Sequence, residues 1–180
     1  MTRAFISINL PYEVCKYIKK IQEKLPKFKG KKTETENLHL TLKFLGEIDE
    51  RKIEKVKEKL REIKIEKFET EIDSLGIFDN RKSKLYSRNL IVWLHMKKCN
   101  ALQIQIDSKL EKIFEPEKRF MSHLTIARIK YIPDKKVFLN ELKKIEIEKI
   151  EFLVDKFCLM KSKLTGKGPR YSVLEEYNLN

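Results

Sequence analysis

The chain has 180 residues, 41% hydrophobic and 37% charged, with a formal net charge of +13. That length gives one domain or two small lobes with a real core, and the composition excludes a disordered or fibrous chain. No run reaches the ~20 apolar residues of a membrane span, and the N-terminal apolar run is too short for a signal peptide.

The excess of cations favours a polyanionic partner, nucleic acid first and an acidic membrane surface second. A lysine- and glutamate-rich surface of the thermophile type would read the same way. Cys15, Cys99 and Cys158 are scattered among apolar neighbours with no Cys-x-x-Cys spacing. Buried free thiols in a reducing compartment are expected, which makes the cytoplasm the default. No histidine–cysteine or histidine–carboxylate spacing resembles a structural metal site.

Ala4 to Leu10 reads as a first strand, and Pro11 opens a helix whose inner face is Val14, Tyr17, Ile18, Ile21 and Leu25. Lys27 to Lys32 is a basic loop, and a strand follows from Leu38 to Leu45. Asp49 caps a second helix with Ile53, Val56, Leu60 and Ile63 inward. Phe68 to Phe78 and Leu90 to Met96 are strands, joined across Asp79 to Arg88 by a long polar connection. Asn100 with Gln103 has capping-box spacing and opens a third helix, ended by Pro116. A strand from His123 to Ile129, a short helix from Pro133 to Lys144 and two strands, Phe152 to Leu164 and Tyr171 to Leu174, complete the chain. Thr165 to Arg170 is the turn between the last two. The order gives an α+β fold of two sheet-and-helix lobes packed as one body.

One three-residue word occurs twice. His39-Leu40-Thr41 and His123-Leu124-Thr125 start 84 positions apart, and they hold two of the three histidines. Each lies in a strand-like run, so its His and Thr point to one face about 6–7 Å apart, while the leucines point the other way. Two such pairs facing each other make a site with two acid/base groups and two hydroxyl donors, which suits a phosphate ester.

At these residues the chain resembles the two-histidine phosphoesterase superfamily and, within it, the LigT-like RNA 2′,3′-cyclic phosphodiesterases, also called 2′-5′ RNA ligases. Arg3 to Ile8 with Leu10-Pro11 is similar to that family's opening strand. His39-Leu40-Thr41-Leu42-Lys43-Phe44-Leu45-Gly46 and Ser122-His123-Leu124-Thr125-Ile126-Ala127-Arg128 are very close to its two tetrads. Leu75 to Phe78 and the strand of Trp93 fit more loosely. Asn89, Leu90, Ile91 and Val92 precede the tryptophan, where the family has a shorter link with a proline and an arginine.

The resemblance implies a single bilobal domain over residues 1–180, with two antiparallel sheets and outer helices around a central cleft. It implies metal-independent, cofactor-free opening of RNA 2′,3′-cyclic phosphate ends to 2′-phosphomonoesters by a monomer, on RNA that includes tRNA-derived ends. His39 is then the proton donor and His123 the proton acceptor. Thr41, Thr125 and Arg128 bind the phosphate, and Lys43 falls at the cleft rim by alternation. Alternation also aims Arg128 away from Thr125, so a bulge or a strand end is expected to bring it to the site. Phe5 and Trp93 are expected in the core or wall, Tyr171 fits either a hairpin or the cleft, and His95 has no assigned role. The basic segments Lys27 to Lys32 and Lys161 to Arg170 are candidates for the RNA backbone. The competing readings are a 2′-5′ ligase, a phosphodiesterase for another cyclic nucleotide or a 2′-5′ oligonucleotide, and a non-catalytic RNA-binding module.

Overall fold

In the computed structural model, which describes residues 1–79, 90–166 and 168–180, the elements are β1 (Thr2–Asn9), α1 (Tyr12–Lys24), β2 (Lys29–Lys32), a 3-10 turn (Thr35–Asn37), β3 (His39–Ile48), α2 (Glu50–Arg61) and β4 (Phe68–Phe78). The second half supplies β5 (Leu90–Met96), α3 (Asn100–Leu110), β6 (His123–Tyr131), α4 (Lys135–Lys143), β7 (Ile150–Val154), β8 (Lys156–Thr165) and β9 (Gly168–Asn178). The strands pair antiparallel in the order β7-β4-β5-β6-β3-β1-β8-β9, with β2 added to β6. The predicted connection from Asp79 to Arg88 lies, beyond Asp79, outside the described residues, as does Lys167 in the final turn.

The α+β architecture around a cleft is as predicted, but the two expected sheets are continuous. They meet where β3 pairs with β6 through one Cα pair, Leu40 with Leu124. These are the central residues of the two words. Because equivalent residues pair, a local twofold axis runs between them, and the 84-residue repeat is also a spatial symmetry. Beyond that pair β3 and β6 diverge, which opens the cleft. β2 lies against the far end of β6, where Gly30 allows the approach: a Cβ there would stand 2.2 Å from the Arg128 carbonyl oxygen.

The halves exchange elements. β4 leaves the first half to pair with β5, and β8 leaves the second to pair with β1. The buried apolar residues of both halves, from Ile6 and Leu40 to Leu124 and Phe157, belong to one core cluster. No helix among the described residues is long and apolar enough to cross a membrane.

Local signals explain most boundaries. Asp49 accepts from the Lys52 N–H at 2.8 Å and starts α2, whose Ile53, Val56 and Leu60 are buried. Asp134 does the same for α4 through the Val137 N–H at 3.0 Å, so that helix begins at Lys135 rather than Pro133.

Three expectations change. Asn100 does not cap α3. The cap position is Cys99, and Gln103 is buried and donates to Asp107 at 2.6 Å instead of reaching back to a box. Four of the six residues of the basic loop, Lys29–Lys32, form a strand, β2. The long strand from Phe152 to Leu164 is two strands that break at Asp155, with β7 at one edge of the sheet and β8 beside β1. An uninterrupted apolar pattern does not reveal such a change of partner.

Candidate active site

The words sit where β3 and β6 part, and their surroundings repeat. The first nine residues of each strand share one pattern of burial: half-buried His and Thr, buried Leu40 and Leu124, then two buried residues followed by an exposed one. The doubled buried position is a bulge in both strands. Across β1 the register passes from Ser7–Thr41 to Ile6–Lys43, leaving Leu42 over. Across β5 it passes from Trp93–Thr125 to Val92–Ala127, leaving Ile126 over. One extra residue reverses the facing of every residue beyond it on the strand. Of the two devices expected to bring Arg128 to the site, the bulge is therefore the one present, and Arg128 lines the cleft with His39, Thr41, His123 and Thr125.

The same device overturns the expectation for Lys43. The bulge turns Lys43 inward, where it is 4% exposed, and turns Phe44 out to line the cleft at 67% exposure. Strict alternation would bury the phenyl ring, a gain of about 1.5–3 kcal/mol. The buried ammonium is held by an ion pair with Asp107 of α3 and donates to the Glu115 carbonyl at 2.8 Å. Asp107 also accepts from Gln103 and from the Glu117 N–H. Burial raises its pKa, but these donors, led by Lys43, outweigh that and hold the carboxyl below its ordinary value.

The β6 bulge has its own fastening. Gln22 of α1, buried, donates to the carbonyls of Ile126 and Thr33, each at 2.8 Å. The Thr33 hydroxyl donates to the Thr125 carbonyl at 2.8 Å, and its N–H to the Ile126 carbonyl at 2.9 Å. The carbonyls that the bulge frees from the ladder are satisfied by a helix and a loop of the other half.

Both histidines are fixed in one tautomer. The His39 Nδ1–H donates to the Asn37 carbonyl at 2.8 Å, and the His123 Nδ1–H to the Met121 carbonyl at 2.7 Å. A carbonyl only accepts, so the proton is on Nδ1 and Nε2 carries the lone pair. The Thr41 hydroxyl lies 3.0 Å from His39 Nε2. With His39 neutral the hydroxyl donates to it. With His39 protonated the bond reverses, and the Thr41 proton is free to turn towards a phosphate oxygen.

Rings pack the histidines. Phe5 lies 4.9 Å and Tyr171 5.1 Å from His39, and Phe78 lies 5.0 Å from His123, all centroid to centroid. Burial lowers the His39 pKa. The Asn37 carbonyl works against this, and the nearby charges of Arg128 and His123 add to the lowering. Burial also raises the Tyr171 phenol, so it remains a hydrogen-bond donor on the cleft wall.

The cleft holds about 880 Å³ and is bordered by Arg3, Lys31, Lys32, Arg128 and Arg170 against Glu34 and Glu36. Of the basic segments expected to flank it, Lys31, Lys32 and Arg170 reach it. Lys29 instead packs over the Tyr131 ring, and Lys167 is outside the described residues. His95 pairs across the strands with His123 and donates from Nδ1 to Asp73 at 2.8 Å. Cys99 and Cys158 are buried free thiols, each pushed up to about 11 by desolvation, so neither offers a thiolate.

Two matched histidine–threonine strands line one cationic cleft, and the model of the LigT-like phosphoesterases matches residues 8–86 and 95–171. The chain belongs to the LigT-like phosphoesterase family. A Methanocaldococcus jannaschii member named RNA 2′,3′-cyclic phosphodiesterase is 37% identical over 181 residues, spanning 97% of this chain and 99% of that protein. A Thermotoga maritima protein of the same name is 37% identical over 97% of this chain and 94% of its own. Among LigT-like structures, Escherichia coli LigT complexed with 3′-AMP superposes with a TM-score of 0.79 at 23% identity over 99% of this chain and 98% of that one. A Thermus thermophilus protein gives 0.77 at 26% identity over 98% and 97%. The fold is thus that of LigT throughout the chain.

Sequence reasoning missed Gln22, Thr33 and Phe44. Gln22 and Phe44 follow a helical and an alternating pattern that say nothing of a bulge. The equal spacing of Leu42 and Ile126 after their words is the one signal that could have paired the two distortions.

Proposed function

We propose that this protein hydrolyses RNA 2′,3′-cyclic phosphate ends to 2′-phosphomonoesters without a metal, as one bilobal domain with a single two-histidine site. The observation that carries the reading is the twofold convergence of two tautomer-fixed imidazoles, each with its own threonine hydroxyl, on one cationic cleft. The names of the full-length relatives agree with it.

Opening the ring to a 2′-phosphate requires a proton for the departing 3′-oxygen and the removal of one from attacking water. His123 Nε2 takes the proton from water and His39 Nε2–H gives one to the 3′-oxygen, each step worth about 10²–10⁴ in rate. Burial lowers the His39 pKa and so favours its neutral form in the free protein. The phosphodiester anion, arriving beside it, supplies the charge that lets it hold a proton, and an imidazolium of low intrinsic pKa gives that proton up easily. Protonation of His39 turns the Thr41 hydroxyl towards the phosphate. Thr125 donates from the opposite strand, and Arg128 adds a charge-assisted contact as negative charge builds on the non-bridging oxygens.

A 2′,3′-cyclic end requires a 2′-hydroxyl, so the substrate is RNA rather than DNA. Lys31, Lys32 and Arg170 suit its backbone. The site is complete within one chain, so a monomer suffices, and the free buried thiols suit the cytoplasm.

The test is turnover of a short RNA ending in a 2′,3′-cyclic phosphate, in EDTA, by the native protein and by His39→Ala and His123→Ala. A 2′-phosphate product that disappears in both variants is expected. A 3′-phosphate product, or full activity in either variant, rejects the reading.

A further inference from the structure

A basic track continues beyond the cleft along the two-stranded ribbon of β2 and β6. β2 is an edge strand, and all four of its residues are exposed. Its register sets Lys31 opposite Arg128 and Lys29 opposite Tyr131. Directly opposed residues of an antiparallel pair share a face, and Lys29 and Lys31 share one by alternation. The register shift between Lys29 and Gly30 leaves Lys130 over on β6. That bulge puts Tyr131 on the face of Arg128, where strict alternation would turn it away. One surface therefore runs from Arg128 and Lys31, which line the cleft, out to Lys130, Lys29 and Tyr131. Three residues at about 3.3 Å each set Tyr131 about 10 Å past Arg128.

The make-up of this surface is that of a groove for single-stranded nucleic acid, cations interleaved with an aromatic ring. Lys29 Nζ stands 5.9 Å from the centre of the Tyr131 ring, and the tyrosine is 40% exposed. Lys130 is exposed as well. Among the described residues neither Lys29 nor Lys130 has an ion-pair partner. The other flank of the sheet differs: Glu71 and Asp73 of β4 both hold Lys97, and Glu71 also holds Lys149. Lysine on an edge strand guards against edge-to-edge pairing. That accounts for β2, but not for Lys130 on the inner strand or for an exposed tyrosine set between Lys29 and Lys130.

We infer that the β2–β6 ribbon carries the RNA chain on the 5′ side of the terminal nucleotide, an inference that rests on the cyclic phosphodiesterase reading. A chain that ends in a 2′,3′-cyclic phosphate continues only through the 5′-oxygen of its last nucleotide, so the rest of it must leave the cleft. The cations that continue from Arg128 mark the way out. Lys29 and Lys130 meet phosphates, and the Tyr131 ring takes a base. Stacking on an aromatic ring tolerates every base, so the ribbon senses the presence of a chain and not its sequence. The preferred substrate is then an oligonucleotide rather than a nucleoside cyclic phosphate.

The experiment compares a tetra-adenylate ending in a 2′,3′-cyclic phosphate with adenosine 2′,3′-cyclic phosphate. The quantity is the ratio of kcat/KM, oligonucleotide over nucleoside, at several salt concentrations. The variants are Lys29→Ala with Lys130→Ala, Tyr131→Ala and Tyr131→Phe. Arg51→Ala with Lys55→Ala, two exposed cations of α2, is a control of equal charge. Thermal unfolding confirms that each is folded. The native ratio is expected to be about tenfold or more and to fall with salt. Each phosphate contact adds about 0.7 to the slope of log affinity against log salt, so the lysine pair should flatten the slope of the log ratio by about 1.4. Tyr131→Ala should lower the ratio about tenfold at an unaltered slope, and phenylalanine should keep it. A native ratio near one, a ratio left unaltered by the lysine pair or by Tyr131→Ala, or an equal loss in the α2 control overturns the inference. If the native protein turns over neither substrate, the hydrolase reading fails by itself. The same ratio from dissociation constants of tetra-adenylate 2′-phosphate and adenosine 2′-phosphate then decides on the ribbon: a fall in both ribbon variants supports it, and no fall in either overturns it.

Discussion

Replacing Gln22 with leucine tests how the cleft gets its arginine. The Gln22 amide donates two 2.8 Å hydrogen bonds from a buried position, to Thr33 and to Ile126, the extra residue of the β6 bulge. Leucine keeps most of the volume and removes both. The Ile126 carbonyl still accepts from the Thr33 N–H at 2.9 Å. The half-buried Thr33 carbonyl loses the Gln22 amide, and an acceptor left unmet costs about 1–3 kcal/mol at most. At about 2–4 °C per kcal/mol for a chain of this size, the melting temperature falls by roughly 2–12 °C. Loosening the bulge also releases Arg128 from its aim, so kcat/KM on a cyclic phosphate substrate should drop about tenfold.

A merely structural glutamine would give the first effect and not the second. The discriminating assay is a double-mutant cycle with Arg128→Ala. If Gln22 acts through Arg128, Gln22→Leu costs little further activity in the Arg128→Ala background, while the loss of melting temperature persists. Equal activity losses in both backgrounds, or a destabilised variant with native kcat/KM, would show that Gln22 does not act through Arg128.

Followed by NMR, His39 should titrate below the ordinary imidazole value, and its pKa should rise in His123→Gln and Arg128→Gln, whose charges help to depress it. The folded protein then binds fewer protons than the unfolded chain between the folded pKa and about 6.5. Stability is lost as pH falls through that window, and His39→Gln should flatten the dependence in denaturant titrations. Lys43→Met leaves the Asp107 charge buried without its cation, costing about 3–5 kcal/mol in chemical unfolding, and adding Asp107→Leu should recover part of that. Gly76→Ala would set a Cβ 2.2 Å from the Trp93 ring. About 1–3 kcal/mol of destabilisation and an altered emission from this single tryptophan are expected.

The sequence made the site legible to the extent that the site is local. His-x-Thr on a strand fixes its own facing through the two-residue period, so His39, Thr41, His123 and Thr125 could be set on one surface before any fold was known. Arg128 was reachable only by adding an irregularity that the period does not contain. The same reasoning, applied without a bulge, sent Lys43 to the cleft rim. What decided that case was Asp107, 64 positions away on another element, which no local pattern reports. The fold divides along similar lines. The helix announced by the Asp49 cap and a 3.6-residue face was found where expected. The capping box at Asn100 failed because Gln103 had a buried carboxylate to meet. The exchange of β4 and β8 between the halves depends on strand partners, to which alternation is blind.

On the proposed mechanism the two equivalent histidines, His39 and His123, do opposite jobs on one phosphate. The most direct measurement is single-turnover opening of a nucleoside 2′,3′-cyclic phosphate whose 3′-bridging oxygen is replaced by sulfur, using native protein, His39→Ala and His123→Ala. A thiolate departs without a proton, so only the acid becomes dispensable. His39→Ala is expected to recover most of its lost rate on the sulfur substrate, and His123→Ala is not. Recovery in His123→Ala alone would reverse the assignment, and recovery in neither would contradict acid–base catalysis by this pair.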